Sequence, residues 1–340
     1  MRKIARLSEE IAVPLARMIE LWRGGLCESL HFGHAVIADA NGVVAAWGDP
    51  GAVIFPRSSC KMIQALPLVE SGAADAHGLG GRQLALACAS HNGARIHIEP
   101  VAAWLDGLGL AEADLRCGAH LPADPDERRR LICALESPCQ IHNNCSGKHA
   151  GFLTLNRHLG AGPDYVDPDH PVQRAVRRAF EEVTGEEAAG WGIDGCSAPN
   201  FACSVAGLAL AMARFARPGD GRRGQAQRRL VKAMIAHPEL VAGEGRACTE
   251  LMRAAGGRAV VKTGAEAVFV AILPERGLGV ALKIADGGTR AAEAAITALL
   301  VHLGILAEGD PVVQRYLTGP LRNWRGLATG ELRRAEGFPA

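Results

Sequence analysis

Ser58-Ser59-Cys60-Lys61 reads S-x-x-K, and it sits where an extended approach through Phe55-Pro56 gives way to a helical pattern. Residues three apart share one helix face, so the Lys61 amine is placed to reach the Ser58 hydroxyl. A serine hydroxyl is a weak nucleophile near neutral pH and needs a base. A lysine withdrawn from water loses its proton more easily and can be that base. Two further triplets carry related chemistry. Ser90-His91-Asn92 follows the apolar run 84–89, and Lys262-Thr263-Gly264 ends the run Ala259-Val260-Val261. The second offers a cation and a hydroxyl, with a glycine that lets backbone and substrate approach closely. Taken singly, each is ordinary: a capped helix start with a surface lysine, a turn ahead of Asn92-Gly93, a strand end.

Together they are more specific. S-x-x-K, S-x-N and K-T-G occur in this order in serine β-lactamases and penicillin-binding proteins, and here they fall at a helix start, a loop and a strand. Longer blocks resemble the rhizobial-type L-asparaginase family: residues 55–70 (FPRSSCKMIQALPLVE), 88–93 (CASHNG), 143–149 (NNCSGKH), 192–199 (GIDGCSAP) and 261–266 (VKTGAE). That family is similar in fold to serine β-lactamases and glutaminases and unrelated to the threonine-dependent asparaginases.

The resemblance implies hydrolysis of L-asparagine to L-aspartate and ammonia, with glutamine a poor or secondary substrate, by a homodimer; the scattered cysteines and the charged N-terminal stretch separately point to the cytoplasm. It implies two serine–lysine couples, Ser58 with Lys61 and Ser90 with Lys262. Ser58 is the expected nucleophile, Lys61 its base, and Ser90 with Lys262 the relay to the leaving ammonia. Arg57, Asn92, Thr263, Gly264 and Ala265 are the expected substrate contacts, with an oxyanion held by the N–H groups of Ser58 and Ala265. The resemblance also implies a zinc ion on Cys145, Lys148 and Cys196, with Asp194 close by. Spacing alone points elsewhere: C-x-x-K is no standard zinc pattern, and lysine binds zinc only as a neutral amine. Two rival readings share these residues: a β-lactamase or DD-peptidase, and a non-catalytic zinc-binding protein of the same fold.

These residues need a scaffold. Apolar runs at 34–39 and 43–47 flank Asn41-Gly42, a strong hairpin signal. Strand-like runs recur at 258–262, 267–273 and 279–284, with Pro274 to Gly277 as a turn. Helical patterns cover 60–70, 128–135, 172–183, 205–215, 227–236 and 289–303, while 218–224 reads as an exposed loop. The expectation is an α+β fold in one domain over 1–340. Its antiparallel sheet, of the serine β-lactamase-like kind, comes from roughly 30–50 and 258–285 and is covered by helices, with a largely helical middle at 58–250.

The bulk properties exclude other classes. A net charge of +1 over 340 residues is no footprint for nucleic acid. The ten cysteines are scattered without any C-x-x-C, against both a disulfide framework and a zinc ribbon. Residues 1–22 are amphipathic and charged, unlike a signal peptide, and no window is long and apolar enough to span a membrane. Several residues are set aside. His91, His142 and His149 read as satisfied polar loop residues, with His149 alternatively a partner to the metal shell. Asp126 and Glu127 read as complements to a helix dipole, and Trp104 and Trp191 as core or interface.

Overall fold

The computed structural model describes residues 15–339. The strands are β1 (Ala16–Arg23), β2 (Leu26–Asp39), β3 (Gly42–Trp47), β4 (Val53–Ile54), β5 (Gly190–Ile193), β6 (Pro199–Ser204), β7 (Val260–Gly264), β8 (Val268–Leu273), β9 (Leu278–Ile284), β10 (Pro320–Arg322) and β11 (Ala328–Arg334). The Asn-Gly signal turns the chain as its chemistry requires. Asp39 Oδ1 accepts the Asn41 N–H at 2.7 Å, and Gly42 takes φ +135°. β3 then folds back on β2 with Ala38 opposite Val43.

One antiparallel sheet runs β10-β11-β1-β2-β9-β8-β7, with β3 also paired to β2. Both ends of the chain therefore build it, and the α+β class read from the sequence holds. β8 is buried at every residue, so both sheet faces are covered there, as a continuous apolar run demands. Helices Val205–Ala216 and Thr289–His302 pack on β8 and β9. The first comes so close that a Cβ on Gly279 would lie 2.1 Å from Ala213 N and 2.2 Å from Ala209 O.

The details depart from the expectation in four places. The sheet is wider, because β1, β10 and β11 join it. The middle is not all helix, since β4, β6 and β5 form a second sheet of three strands. The run 60–70 is not one helix: a 3₁₀ turn Arg57–Cys60 leads into Lys61–Gln64 and then Leu66–Glu70. Pro67 opens that last piece and has no N–H to continue a helix through it. The exposed loop ends early, because helix Arg222–Ala236 takes its last three residues. Residues 1–14 of the amphipathic N-terminal stretch lie outside the described residues, and 16–22 belong to β1. Among the described residues no helix is long and apolar enough to cross a membrane.

Candidate active site

Ser58 lies in the 3₁₀ turn Arg57–Cys60, set there by its neighbours. The Ser59 N–H donates to Pro56 O at 3.1 Å and its hydroxyl to the same oxygen at 2.7 Å. Arg57, immediately before Ser58, has φ +53°, a conformation that costs a non-glycine residue about 1–2 kcal/mol. The Asn200 side chain accepts the Arg57 N–H at 3.2 Å, and Asp194 Oδ1 accepts from Arg57 Nε at 2.8 Å. Ser197, Glu266 and Ala267 also have positive φ. Among the described residues, four of the five such non-glycine residues thus flank the expected site, where stored strain tends to gather.

The Ser90–Lys262 couple is formed. Lys262 Nζ donates to Ser90 Oγ at 2.8 Å and to Thr263 O at 2.8 Å. β7 fixes the lysine, and the Ser90 N–H is anchored on Val241 O at 2.9 Å. Burial lowers the Lys262 ammonium to about 7, with the nearby Lys61 charge adding to the effect. At neutral pH this amine is therefore divided between its neutral and charged forms.

The Ser58–Lys61 couple is not closed by a hydrogen bond. Lys61, 1% exposed, donates to Ala89 O and to Cys145 Sγ, the latter at 3.1 Å. Ser58 Oγ makes no hydrogen bond among the described residues. The expectation took both residues as one helix face. In the structure the helix begins only at Lys61, after the break at Cys60, and the amine points toward the 89–90 turn and the 145 loop. The sequence could not announce the Ala89 carbonyl, because a backbone acceptor has no residue signature.

β7 closes on the Ser58 turn. A Cβ added to Gly264 would lie 2.5 Å from Pro56 O and 3.1 Å from Ser59 N. Thr263 N–H donates to Cys248 Sγ at 3.2 Å, another contact the motif reading missed. Ala265 is exposed just beyond. Asn92 is buried under Gly243, whose Cβ would meet Asn92 Oδ1 at 2.5 Å, and Asn92 Oδ1 accepts the Ala94 N–H at 3.2 Å. Gly264→Ala should therefore push the Ser58 turn away from β7. We expect a stability loss of about 1–3 kcal/mol by denaturant unfolding and a fall in turnover of about 10²-fold from misplacement of the hydroxyl.

Cys145, Lys148 and Cys196 do converge. Lys148 Nζ donates to Cys196 Sγ at 2.9 Å, and Cys196 Sγ lies 4.0 Å from Asp194 Oδ2. The neighbouring Cys145 thiol, whose Sγ donates to Asn144 Oδ1 at 3.1 Å, holds Cys196 well below the ordinary thiol range, with Lys148 adding to the effect, and is itself raised. Burial works against the Lys148 charge, but the two sulfurs outweigh it and its ammonium is held more firmly than usual. His149 Nδ1 meets the Tyr165 hydroxyl at 2.8 Å, and burial brings His149 down to about 4. Among the described residues no three His, Cys, Asp or Glu side chains form a metal cluster, so the expected set depends on its lysine. The donors suit zinc chemically: two soft sulfurs, which bind the ion as thiolates, and an amine that must lose its proton to bind.

Among solved structures the chain is similar to Mglu in its native form, at 14% identity and a TM-score of 0.46, over 82% of this chain and 65% of that one. It thus spans about two thirds of Mglu. It is also similar to a β-lactamase from Mycobacterium bovis (15% identity, TM-score 0.44, covering 81% of this chain and 95% of that chain) and a putative β-lactamase from Bacteroides dorei (11%, 0.41, 74% and 84%). No curated protein matches. The L-asparaginase II family matches residues 19–334, which takes in every site residue named above. The chain belongs to the L-asparaginase II family, a family of amidohydrolases.

Proposed function

We propose that this protein hydrolyses L-asparagine to L-aspartate and ammonia, with Ser58 as nucleophile. The observation that supports this most is the buried Lys262–Ser90 hydrogen bond of 2.8 Å, formed on the strand that closes over the Ser58 turn. Ser58 is the hydroxyl a substrate can reach, being half-buried and without an internal partner, whereas Ser90 is 5% exposed and already engaged. Lys61 takes the Ser58 proton after turning from Cys145 and Ala89. Ser90 passes a proton from Lys262 to the departing ammonia, and water then hydrolyses the acyl-enzyme. The N–H groups of Ser58 and Ala265 hold the oxyanion, each worth about 10²–10³ in rate. Arg57, Asn92, Thr263 and Gly264 orient the substrate, with the Arg57 charge balanced by Asp194.

Zinc belongs to this reading on Cys145, Lys148 and Cys196, with Asp194 near the set. When bound, it supplies positive charge and Lewis acidity beside the site. The homodimer and the reducing compartment belong to it too, and all ten cysteines are unpaired. The deciding measurement is ammonia release from asparagine, from glutamine, and nitrocefin cleavage, side by side. We expect asparagine to exceed glutamine by at least 10-fold and nitrocefin to be untouched. Nitrocefin turnover above asparagine turnover would replace this reading with the β-lactamase one, and bound zinc without ammonia release would replace it with the binding protein.

A further inference from the structure

A second group of reactive side chains lies away from the serines, where the loop leading to Cys145 meets helix Pro125–Ala134. Cys139 begins a 3₁₀ turn, Gln140–His142, that brings the His142 ring back over it. His142 Nδ1 accepts the Cys139 backbone N–H at 3.1 Å and lies 3.3 Å from Cys139 Sγ. That backbone bond settles the tautomer: Nδ1 must carry the lone pair, so the proton of the neutral ring is on Nε2. Nε2 in turn lies 3.5 Å from Glu127 Oε1. Glu127 is 2% exposed, and its hydrogen bond from Arg130 keeps it ionised, below the usual carboxylate range, against the cost of burial. His142 is 7% exposed, and its Nε2 is a buried polar atom without a full hydrogen bond.

A sulfur beside the acceptor nitrogen of an imidazole, whose other nitrogen faces a buried carboxylate, is the arrangement that activates a thiol. A capping histidine alone would explain the backbone bond. It would not explain a buried carboxylate oxygen, held by Arg130 at 2.8 Å, within 3.5 Å of the far nitrogen. We propose that Cys139, His142 and Glu127 form a thiol-based nucleophilic site, separate from Ser58, that takes small soft electrophiles, hydroperoxides above all. In that step His142 Nδ1 releases the Cys139 backbone N–H and takes the thiol proton, and Glu127 holds the imidazolium. The sulfur attacks one peroxide oxygen, so an S–O bond forms as the O–O bond breaks. The sulfur is oxidised to a sulfenic acid. The other oxygen leaves as hydroxide, is reduced, and takes the proton from His142 as water (or as the alcohol, from an organic hydroperoxide). Cys139 is part-buried, open enough for a small reagent.

The protein carries its own controls. Cys27 and Cys133 are both exposed, more so than Cys139, and Cys133 stands on the same helix as Glu127. The whole chain, treated with hydrogen peroxide at low stoichiometry and trapped with dimedone, would be mapped by peptide mass spectrometry. We expect Cys139 to be labelled at least 10-fold faster than Cys27 and Cys133. His142→Gln and Glu127→Gln should each bring it down to their rate, with circular dichroism showing both variants folded. Labelling ordered by exposure alone, with Cys139 slowest, overturns the proposal. So does fast labelling that neither variant changes. Because Glu127→Gln keeps the size of the side chain, it decides the matter if His142→Gln does not fold.

Discussion

Ser58→Ala should lower kcat/KM for asparagine by about 10⁴-fold or more, as removal of an attacking hydroxyl does when the rest of a site stays intact. KM should change little, because the substrate contacts are untouched. Ser59→Ala is the paired control. Its hydroxyl is buried on Pro56 O at 2.7 Å, so the variant loses one hydrogen bond, about 1 kcal/mol of stability, and keeps most of its turnover. The direct readout is a rapid-quench mass spectrum of the acyl-enzyme. Its adduct belongs on the peptide carrying residue 58, and an adduct on the peptide carrying Ser90 would transfer the nucleophile's role to the other couple. Wild-type turnover in Ser58→Ala would falsify the assignment outright.

Lys262→Met carries the second large effect. Loss of a proton-transfer group should cost about 10²–10⁴-fold in kcat. The pH profile identifies the group. Lys262 titrates near 7 in the folded protein against an ordinary value of 10.5. Because Lys262 supplies the proton that Ser90 passes to ammonia, its charged form is the active one, and kcat/KM falls as pH rises through about 7. That limb should vanish in the variant. Stability follows the same titration. Between about 7 and 10.5 the unfolded chain holds a proton at this lysine that the folded chain has released, so wild-type stability rises with pH across that window. Below it the folded protein bears the full cost of a buried ammonium. Lys262→Met should therefore be more stable than wild type at pH 6, and its advantage should shrink toward pH 10. Denaturant unfolding at both ends of the range checks the sign, and an advantage that widens with pH would contradict it.

What the sequence disclosed follows the range of the forces involved. The 34–47 hairpin was legible because its turn is local: Asp39, Asn41 and Gly42 carry the whole instruction. β8 and β9 were legible because burial on both faces leaves a near-continuous apolar run. β1 was not. Arg17, Glu20 and Arg23 interrupt it, and its partner β11, with Ile19 opposite Arg334, lies more than three hundred residues away. Helix Ser146–Leu159 was missed for a different reason. Ser146, Lys148, His149 and Asn156 are polar yet buried, so a pattern that equates polarity with solvent reads the helix as a loop. Such disagreement between local pattern and fold is expected where a site is built. The motifs named the residues of both serine–lysine couples, but not that Lys61 would face Cys145 and Ala89, since one contact is through space and the other is to a carbonyl.

The way β7 abuts the Ser58 turn has a consequence for how this protein would fail. Ser58, Lys61 and Ser90 ride on the helical side of the molecule and Lys262 on the margin of the sheet, with the Gly264 contact and the Lys262–Ser90 hydrogen bond crossing between them. The reacting groups therefore share a seam and no common element. A disturbance that merely parts the two sides there, leaving each one intact, would silence the chemistry while spectroscopy still reported a folded protein. Turnover is thus the more sensitive gauge of whether this seam is shut.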